Sequence, residues 1–327
     1  VTIAVLAPPT NPPAIAGLVM HLTFDNTLAD VTGRGNNATN EASGGAPLIT
    51  NDYVPGELGE AFTYQTTVSS STTNANYASV GNRPDLQFGT DSSFTVSMWV
   101  QLPINYIGND LPFFCDVVGS TFGYPGFCFE PSFGTTEGTT AGWPGGWGFS
   151  VYSSTATGEG VYGDQGSIND GNFHNLIYII DRVAGATVYL DGVAAHQNVQ
   201  EGTKVVGIGN INSTNAATIG QDPTGLYPQP GTCNIDDLGV WRKALTPLEA
   251  ASIYMAAISN QPPLSFTGAP LTFSLQVQPG PQLQLTWDVG NLQSASSLIG
   301  PWTDVAGATS PYTNSPTGTQ EFFRVHL

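Results

Sequence analysis

The chain has 327 residues, with 39 glycines, 24 prolines and only 10% charged side chains. Its formal charge of −18 comes from 25 acidic against 7 basic residues, a surface that repels nucleic acid and anionic lipid and attracts cations. No run reaches the apolar length of a membrane span, so neither nucleic-acid binding nor membrane insertion is expected.

A hydrophobic content of 40% supports a real core, and the length suits one large module plus a small one. Frequent Gly, Pro, Ser, Thr and Asn favour short strands joined by turns. The numbered chain starts at Val1 rather than Met, which points to removal of a targeting segment and to a secreted protein.

Residues 1–16 read as an extended arm. Val1, Ile3 and Val5 alternate as on a strand, and the prolines at 8, 9, 12 and 13 keep the connection extended. Such a strand either joins a neighbouring copy head-to-tail, building a filament, or covers an edge of its own sheet. From Gly17 the texture changes. In GLVMHLTFD, Leu18, Met20, Leu22 and Phe24 alternate as on a strand. After the polar loop NTLADVTGRGNNAT come AFTY, NYASV, SFTVSMWVQL, FFCDVV, GFCFE, WGFSVYS, NLIYIID, ATVYLDG, KVVGIG and AATIG. These short β-prone runs between turn signals predict a sandwich or barrel. TPLEAASIYMAA predicts a helix, with Thr246 as N-cap, Pro247 first and Glu249 closing a capping box. Residues 259–270 have linker chemistry, and 271–327 carry three more alternating runs, a small β module.

Cys115 and Cys128 flank the turn-rich STFGYPG in β-prone stretches, so a disulfide across a hairpin is expected in an oxidising compartment. A Cys128–Cys233 bond is the competitor; otherwise Cys233 is a buried thiol. Trp143 and Trp147, in AGWPGGWGF, are candidates with Tyr152 and Tyr162 for an exposed platform on which sugar rings stack. The alternative is a loop folded down onto the sheet. Trp99 and Trp241 lie in alternating runs and read as core.

Four stretches, in order, resemble the laminin-G-like (concanavalin A-like) family of secreted bacterial proteins. They are LVMHLTFDNTLADVTGRGNNAT, SFTVSMWVQL, DGNFHNLIYIIDRVAGATVYLDGVAA and CNIDDLGVWRKALTPLEAASIY. Phe173 stands where the family usually has Trp. The resemblance covers 17 to about 258 and implies an all-β fold, an antiparallel two-sheet jelly roll. The tail resembles a small fibronectin-III-like β-sandwich. The resemblance also implies that the opening loop meets the closing strand, where Asp25, Asp30, Asp236 and Asp237 would supply carboxylates for one Ca2+, with loop carbonyls near Gly33 to Asn36 completing its shell. The alternative is an acidic loop whose Asp and Asn cap turns.

A glucanase of this fold would carry its two carboxylates on one strand as Glu-x-Asp-x-x-Glu, a run this chain lacks. Asp236 and Asp237, as successive strand residues, are expected on opposite faces. No Gly-x-Ser-x-Gly elbow or phosphate-binding loop is present. The expected function is therefore non-catalytic: an extracellular structural or adhesive protein, assembling with copies of itself. A lectin-like protein binding extracellular glycan is the alternative, and a glycoside hydrolase the remote one.

Overall fold

The structure is a computed structural model. It describes residues 15–50, 52–106, 110–118, 124–132, 143–154, 157–197, 205–259, 273–280, 282–315 and 321–326. The segment bearing Val1, Ile3 and Val5, and nearly all of the expected linker, lie outside them.

Fifteen strands form one continuous sheet among the described residues. They begin with β1 (Leu18–Leu22), β2 (Thr39–Ser43), β3 (Tyr53–Pro55), β4 (Glu60–Ser69) and β5 (Thr72–Gly81). Next come β6 (Phe94–Gln101), β7 (Phe114–Cys115), β8 (Gly126–Pro131), β9 (Trp147–Tyr152) and β10 (Thr157–Tyr162). The last are β11 (Phe173–Asp181), β12 (Gly185–Leu190), β13 (Val193–Ala194), β14 (Ala217–Ile219) and β15 (Gly231–Trp241). The hydrogen-bonded path runs β10-β9-β8-β7-β14-β5-β4-β15-β6-β11-β12-β13. β8 with β9, β11 with β6, and β15 with β4 and β6 all pair antiparallel, and distant strands meet because the sheet rolls over on itself. Phe129 of β8 lies 4.6 Å from Tyr178 of β11, and Phe127 lies 5.9 Å from Phe94 of β6. Those contacts define the two layers of a jelly roll, with aromatic rings between them.

Alternation sets the core. On β6, Phe94, Val96 and Met98 alternate with Thr95, Ser97 and Trp99. Both sets are buried. Trp99 and Trp241 are core residues, as expected. The run KVVGIG does not form a strand where it is described. Residues 205–207 turn, with Gly207 and Gly209 at φ +68° and +97°, a conformation open mainly to glycine.

Contacts divide the chain into two compact units. One comprises Ala16–Val188 and Ala195–Leu245; the other gathers Tyr189–Ala194 with Thr246–Leu327. The second unit contains helix α1 (Pro247–Ile258), capped as expected: Thr246 Oγ1 accepts from the Glu249 amide at 3.2 Å, and Glu249 Oε2 accepts from the Thr246 amide at 2.8 Å. It also holds β16 (Phe273–Gln278), β17 (Gln282–Trp287), β18 (Asn291–Ala295), β19 (Thr303–Asp304), β20 (Tyr312–Asn314) and β21 (Phe322–His326). These make two three-stranded sheets, β16-β17-β20 and β19-β18-β21. Their core is Phe273, Leu285, Trp287, Leu292 and Phe323.

Phe129 is fully buried where the two layers of the jelly roll meet. Phe129→Ala is expected to lower unfolding stability by about 3–5 kcal/mol, read as a shifted urea midpoint. A loss below about 1 kcal/mol would contradict the packing.

Candidate functional site

The cross-strand register of the first unit places a set of polar side chains on the face turned away from the aromatic core. On β8, Phe127 and Phe129 point into the core, so Cys128 and Glu130 point the other way. The neighbours follow: Cys128 pairs with Cys115 of β7 and with Ser150 of β9, and Glu130 pairs with Gly148. Gly148 in turn pairs with Tyr162 of β10. Glu130, Gly148 and Tyr162 thus form one row across three strands. A Cβ on Gly148 would stand 2.8 Å from Tyr162 Cδ1, so only glycine lets that ring lie against β9 on the Glu130 side. Trp143 stacks on Tyr162, with centroids 5.7 Å apart and planes 16° from parallel. Both rings are half-buried.

A second group lies within electrostatic reach of Glu130 and Tyr162. Gln221 is fully buried, and its amide oxygen accepts from the Asp222 and Tyr227 backbone amides at 2.9 and 3.0 Å. Its amide nitrogen donates to Thr66 Oγ1 at 3.0 Å. That anchoring holds Tyr227, whose hydroxyl donates to Asp110 Oδ2 at 2.8 Å. Asp110 acts electrostatically on Glu130, Tyr162, Tyr106 and Tyr227. Burial first, and then Asp110, push the Glu130 carboxyl up to about 8; Cys128, whose thiol donates to Glu130 Oε2 at 3.1 Å, pulls it slightly back. Burial likewise raises the Tyr152 phenol to about 12, and raises the Tyr162 and Tyr227 phenols further. The result is a strand face on which half-buried aromatic rings stand beside the Glu130 carboxyl.

Of the expected aromatic platform, Trp143, Tyr152 and Tyr162 belong to this face. Trp147 does not. It is fully buried and packs edge-on against Tyr178 at 6.2 Å, because its strand position shares the parity of Phe149 and Val151, which face the core. Glu130, Asp110 and Tyr227 were missed. A signal existed in FCFEP, where a single acid interrupts an apolar run.

The Asp residues of the expected metal set divide differently. Asp30 has both oxygens taken: Oδ1 accepts from the His21 and Thr32 amides at 3.1 and 3.0 Å, and Oδ2 from the Asn36 amide at 3.0 Å. The single Thr32 hydroxyl proton is shared between the two oxygens. Asp30 therefore organises its own loop. A register shift in β15 falls between Asp236 and Gly239, and Asp237 has φ +47°. This bulge breaks the alternation that would set Asp236 and Asp237 on opposite faces. Each keeps one buried oxygen without a hydrogen-bond partner, Asp236 Oδ1 and Asp237 Oδ2. Burial and the Asp237 charge raise Asp236 to about 8. Asp25 Oδ1 accepts from the Glu60 amide at 3.0 Å, and Asp236 Oδ2 from the Leu58 amide at 2.9 Å, so the 56–60 turn joins these carboxylates. His21 Nε2 lies 2.7 Å from Asp237 Oδ1. Burial lowers His21 to about 4, despite opposing pulls from Asp30 and Asp25, so it is neutral near pH 7 and brings no charge to the pair. Among the described residues, no group of three or more His, Cys, Asp or Glu side chains is arranged to hold a metal. Cys115 and Cys128 stand directly opposite each other as buried free thiols, and Cys233 is a third.

With the fold and this strand face defined, comparison with known proteins places the chain. A family profile described as the concanavalin A-like lectin/glucanases superfamily, of laminin-G type, matches residues 71–251, more than half of the chain. The chain belongs to that superfamily. The match stops short of the C-terminal strands, so the fibronectin-III-like reading of the tail has no support from it. Among solved structures, the binding domain of Paraclostridial Mosquitocidal Protein 1 aligns with 88% of this chain at 15% identity and a TM-score of 0.53; this chain spans 63% of that one. The botulinum neurotoxin serotype G binding domain aligns with 93% of this chain, and 80% of its own, at 12% identity and a TM-score of 0.50. At such identities the likeness is one of fold. No curated protein matches. Among the described residues no helix is long and apolar enough to cross a membrane.

Glu130 yields a pH prediction. Its ordinary value is 4.5 and its folded value about 8. Between those values the unfolded chain ionises while the folded chain keeps its proton, so stability falls as pH rises and levels off above the folded value. Glu130→Gln removes that fall. Relative to the parent, the variant should gain about 1–3 kcal/mol between about pH 4 and pH 8, measured by urea unfolding. A stability difference that does not change with pH would contradict a desolvated carboxyl at this position.

Proposed function

We propose that the first unit is a non-catalytic, extracellular carbohydrate-binding module and that its ligand lies against the Trp143–Tyr162–Glu130 face. One observation carries the reading: a stacked indole–phenol pair stands on the same strand face as a desolvated carboxyl. Sugars present an apolar ring face and a rim of hydroxyls. Aromatic rings meet the first, and a few well-held polar groups meet the second. Membership of a superfamily named for lectins and glucanases agrees, as does the description of both structural relatives as binding domains. A glycan array probed with the purified chain should give discrete hits. Trp143→Ala should weaken the best hit about tenfold or more by calorimetry, about 1.4 kcal/mol. Absence of any hit, or an unchanged affinity in the variant, would count against this face. Shortened oligosaccharides appearing during incubation would replace the binding module by a glycoside hydrolase.

The same unit is proposed to take one structural calcium at Asp236 and Asp237, with loop carbonyls rather than a third acidic side chain completing its shell. Two adjacent buried carboxylates with unengaged oxygens support this reading. Charges taken from water are costly unless paired, and calcium accepts carboxylate and loop carbonyl oxygens together. When bound, calcium would supply the missing positive charge and tie the 56–60 turn to β15. Chelator is expected to lower the melting temperature by several degrees and added calcium to restore it, since a ligand of the native state stabilises by mass action. A melting curve indifferent to both would rule the ion out.

A further inference from the structure

We propose that Cys115 and Cys128 close a disulfide across β7 and β8, and that this bond secures the strands carrying the Trp143–Tyr162–Glu130 face to the rest of the sheet. The inference goes beyond the carbohydrate reading and holds whether or not that face binds a sugar.

The register supplies the geometry. Cys115 and Cys128 are Cα partners on antiparallel strands. The Asp116 amide donates to the Phe127 carbonyl at 3.0 Å, which makes 116 and 127 a hydrogen-bonded pair. The next pair along, Cys115 and Cys128, therefore falls at a non-hydrogen-bonded position, where Cα atoms are about 4.5 Å apart and side chains approach most closely. A disulfide accepts Cα separations of roughly 4.4–6.8 Å. Directly opposed residues share a face of the sheet, and the two thiols are within hydrogen-bond reach of each other. Cys233 is the third cysteine of the chain. It lies opposite Tyr64 of β4, with β7, β14, β5 and β4 between its strand and β8.

The setting is that of a structural bond. Both thiols are buried, and burial holds each above the ordinary thiol value. The thiolate is the attacking species, so the folded pair reacts slowly and the bond is made while the chain folds. The oxidant is the disulfide of a small thiol. One cysteine thiolate attacks it, a mixed disulfide forms and one small thiol leaves; the other cysteine then displaces the second. One S–S bond forms and one breaks, and two electrons and two protons pass from the cysteines to the oxidant.

The place of β7 in the sheet gives the bond its consequence. This strand has two residues and pairs at two positions with β8 and at two with β14. Even so, the hydrogen-bonded path from β10, β9 and β8 to β14, β5 and β4 runs through it. A joint held by so few backbone bonds opens easily, and a covalent link across it restricts the opened states. Closing the link also takes away the proton that Cys128 donates to Glu130 Oε2 at 3.1 Å, so Glu130 loses that donor on oxidation.

For the test, the full chain is reduced, denatured and refolded with a mixture of oxidised and reduced glutathione. Non-reducing peptide mapping should recover a peptide bearing Cys115 linked to one bearing Cys128, with Cys233 alkylated only after unfolding. Relative to a chain kept reduced, the oxidised chain should melt roughly 5–10 °C higher. Amides of β8 and β9 should exchange hydrogen about tenfold or more slowly, while those of β11 change less. Cys115→Ala and Cys128→Ala should each abolish the difference in melting between the two redox states, and Cys233→Ala should keep it. Recovery of Cys115 and Cys128 as free thiols, a Cys128–Cys233 bond, or linkage between chains overturns the disulfide. Mapping is done on the parent chain, so a variant that fails to fold leaves that result decisive. A disulfide that forms but leaves exchange in β8 and β9 unchanged overturns the securing role. Glycan binding enters none of these readouts, so their failure is distinct from failure of the carbohydrate site.

Discussion

Side-chain alternation along Gly126–Pro131 ties the core of this protein to the face that carries Glu130. The same strand sends Phe127 and Phe129 into the aromatic layer and Cys128 and Glu130 to the opposite face. The two phenyl rings fix the depth of the strand, and each contributes about 1.5–3 kcal/mol when buried. An ionised carboxylate at that depth costs several kcal/mol, so Glu130 is pushed toward its protonated form instead of distorting the sheet. Burial likewise raises the Tyr152, Tyr162 and Tyr227 phenols around it.

Much of the jelly roll was legible because period-two patterning and turn residues are local. The strand β6 and the capped helix after Thr246 each carry their own signal. The failures share a different cause. KVVGIG has strand composition, yet Gly207 and Gly209 adopt left-handed conformations and turn the chain. Trp147 looked like a loop residue among glycines, and its burial depends on being the first residue of β9, opposite Pro131. Asp236 and Asp237 were assigned opposite faces by simple alternation, which a bulge in β15 breaks. Register and bulges are set by which strands pair, and no single strand encodes that. The row Glu130–Gly148–Tyr162 joins residues from three strands, so the face becomes visible only once they are aligned.

Two groups of buried carboxyls recur in the first unit and invite different solutions. Asp236 and Asp237 lie beside a neutral His21 and next to a turn whose amides already serve Asp25 and Asp236. A small hard cation with many oxygen ligands suits that setting. Glu130 and Asp110 lie among half-buried rings, with a thiol and a phenol as donors. A larger organic ligand with an apolar face suits the rings of this one.

The most direct measurement is a structure of the full chain with the oligosaccharide that binds it most tightly. The account predicts a sugar ring lying against the Trp143–Tyr162 pair, with a polar substituent of that ring in hydrogen-bond contact with Glu130. A sugar bound on another face of the jelly roll, with Trp143, Tyr162 and Glu130 untouched, would contradict it.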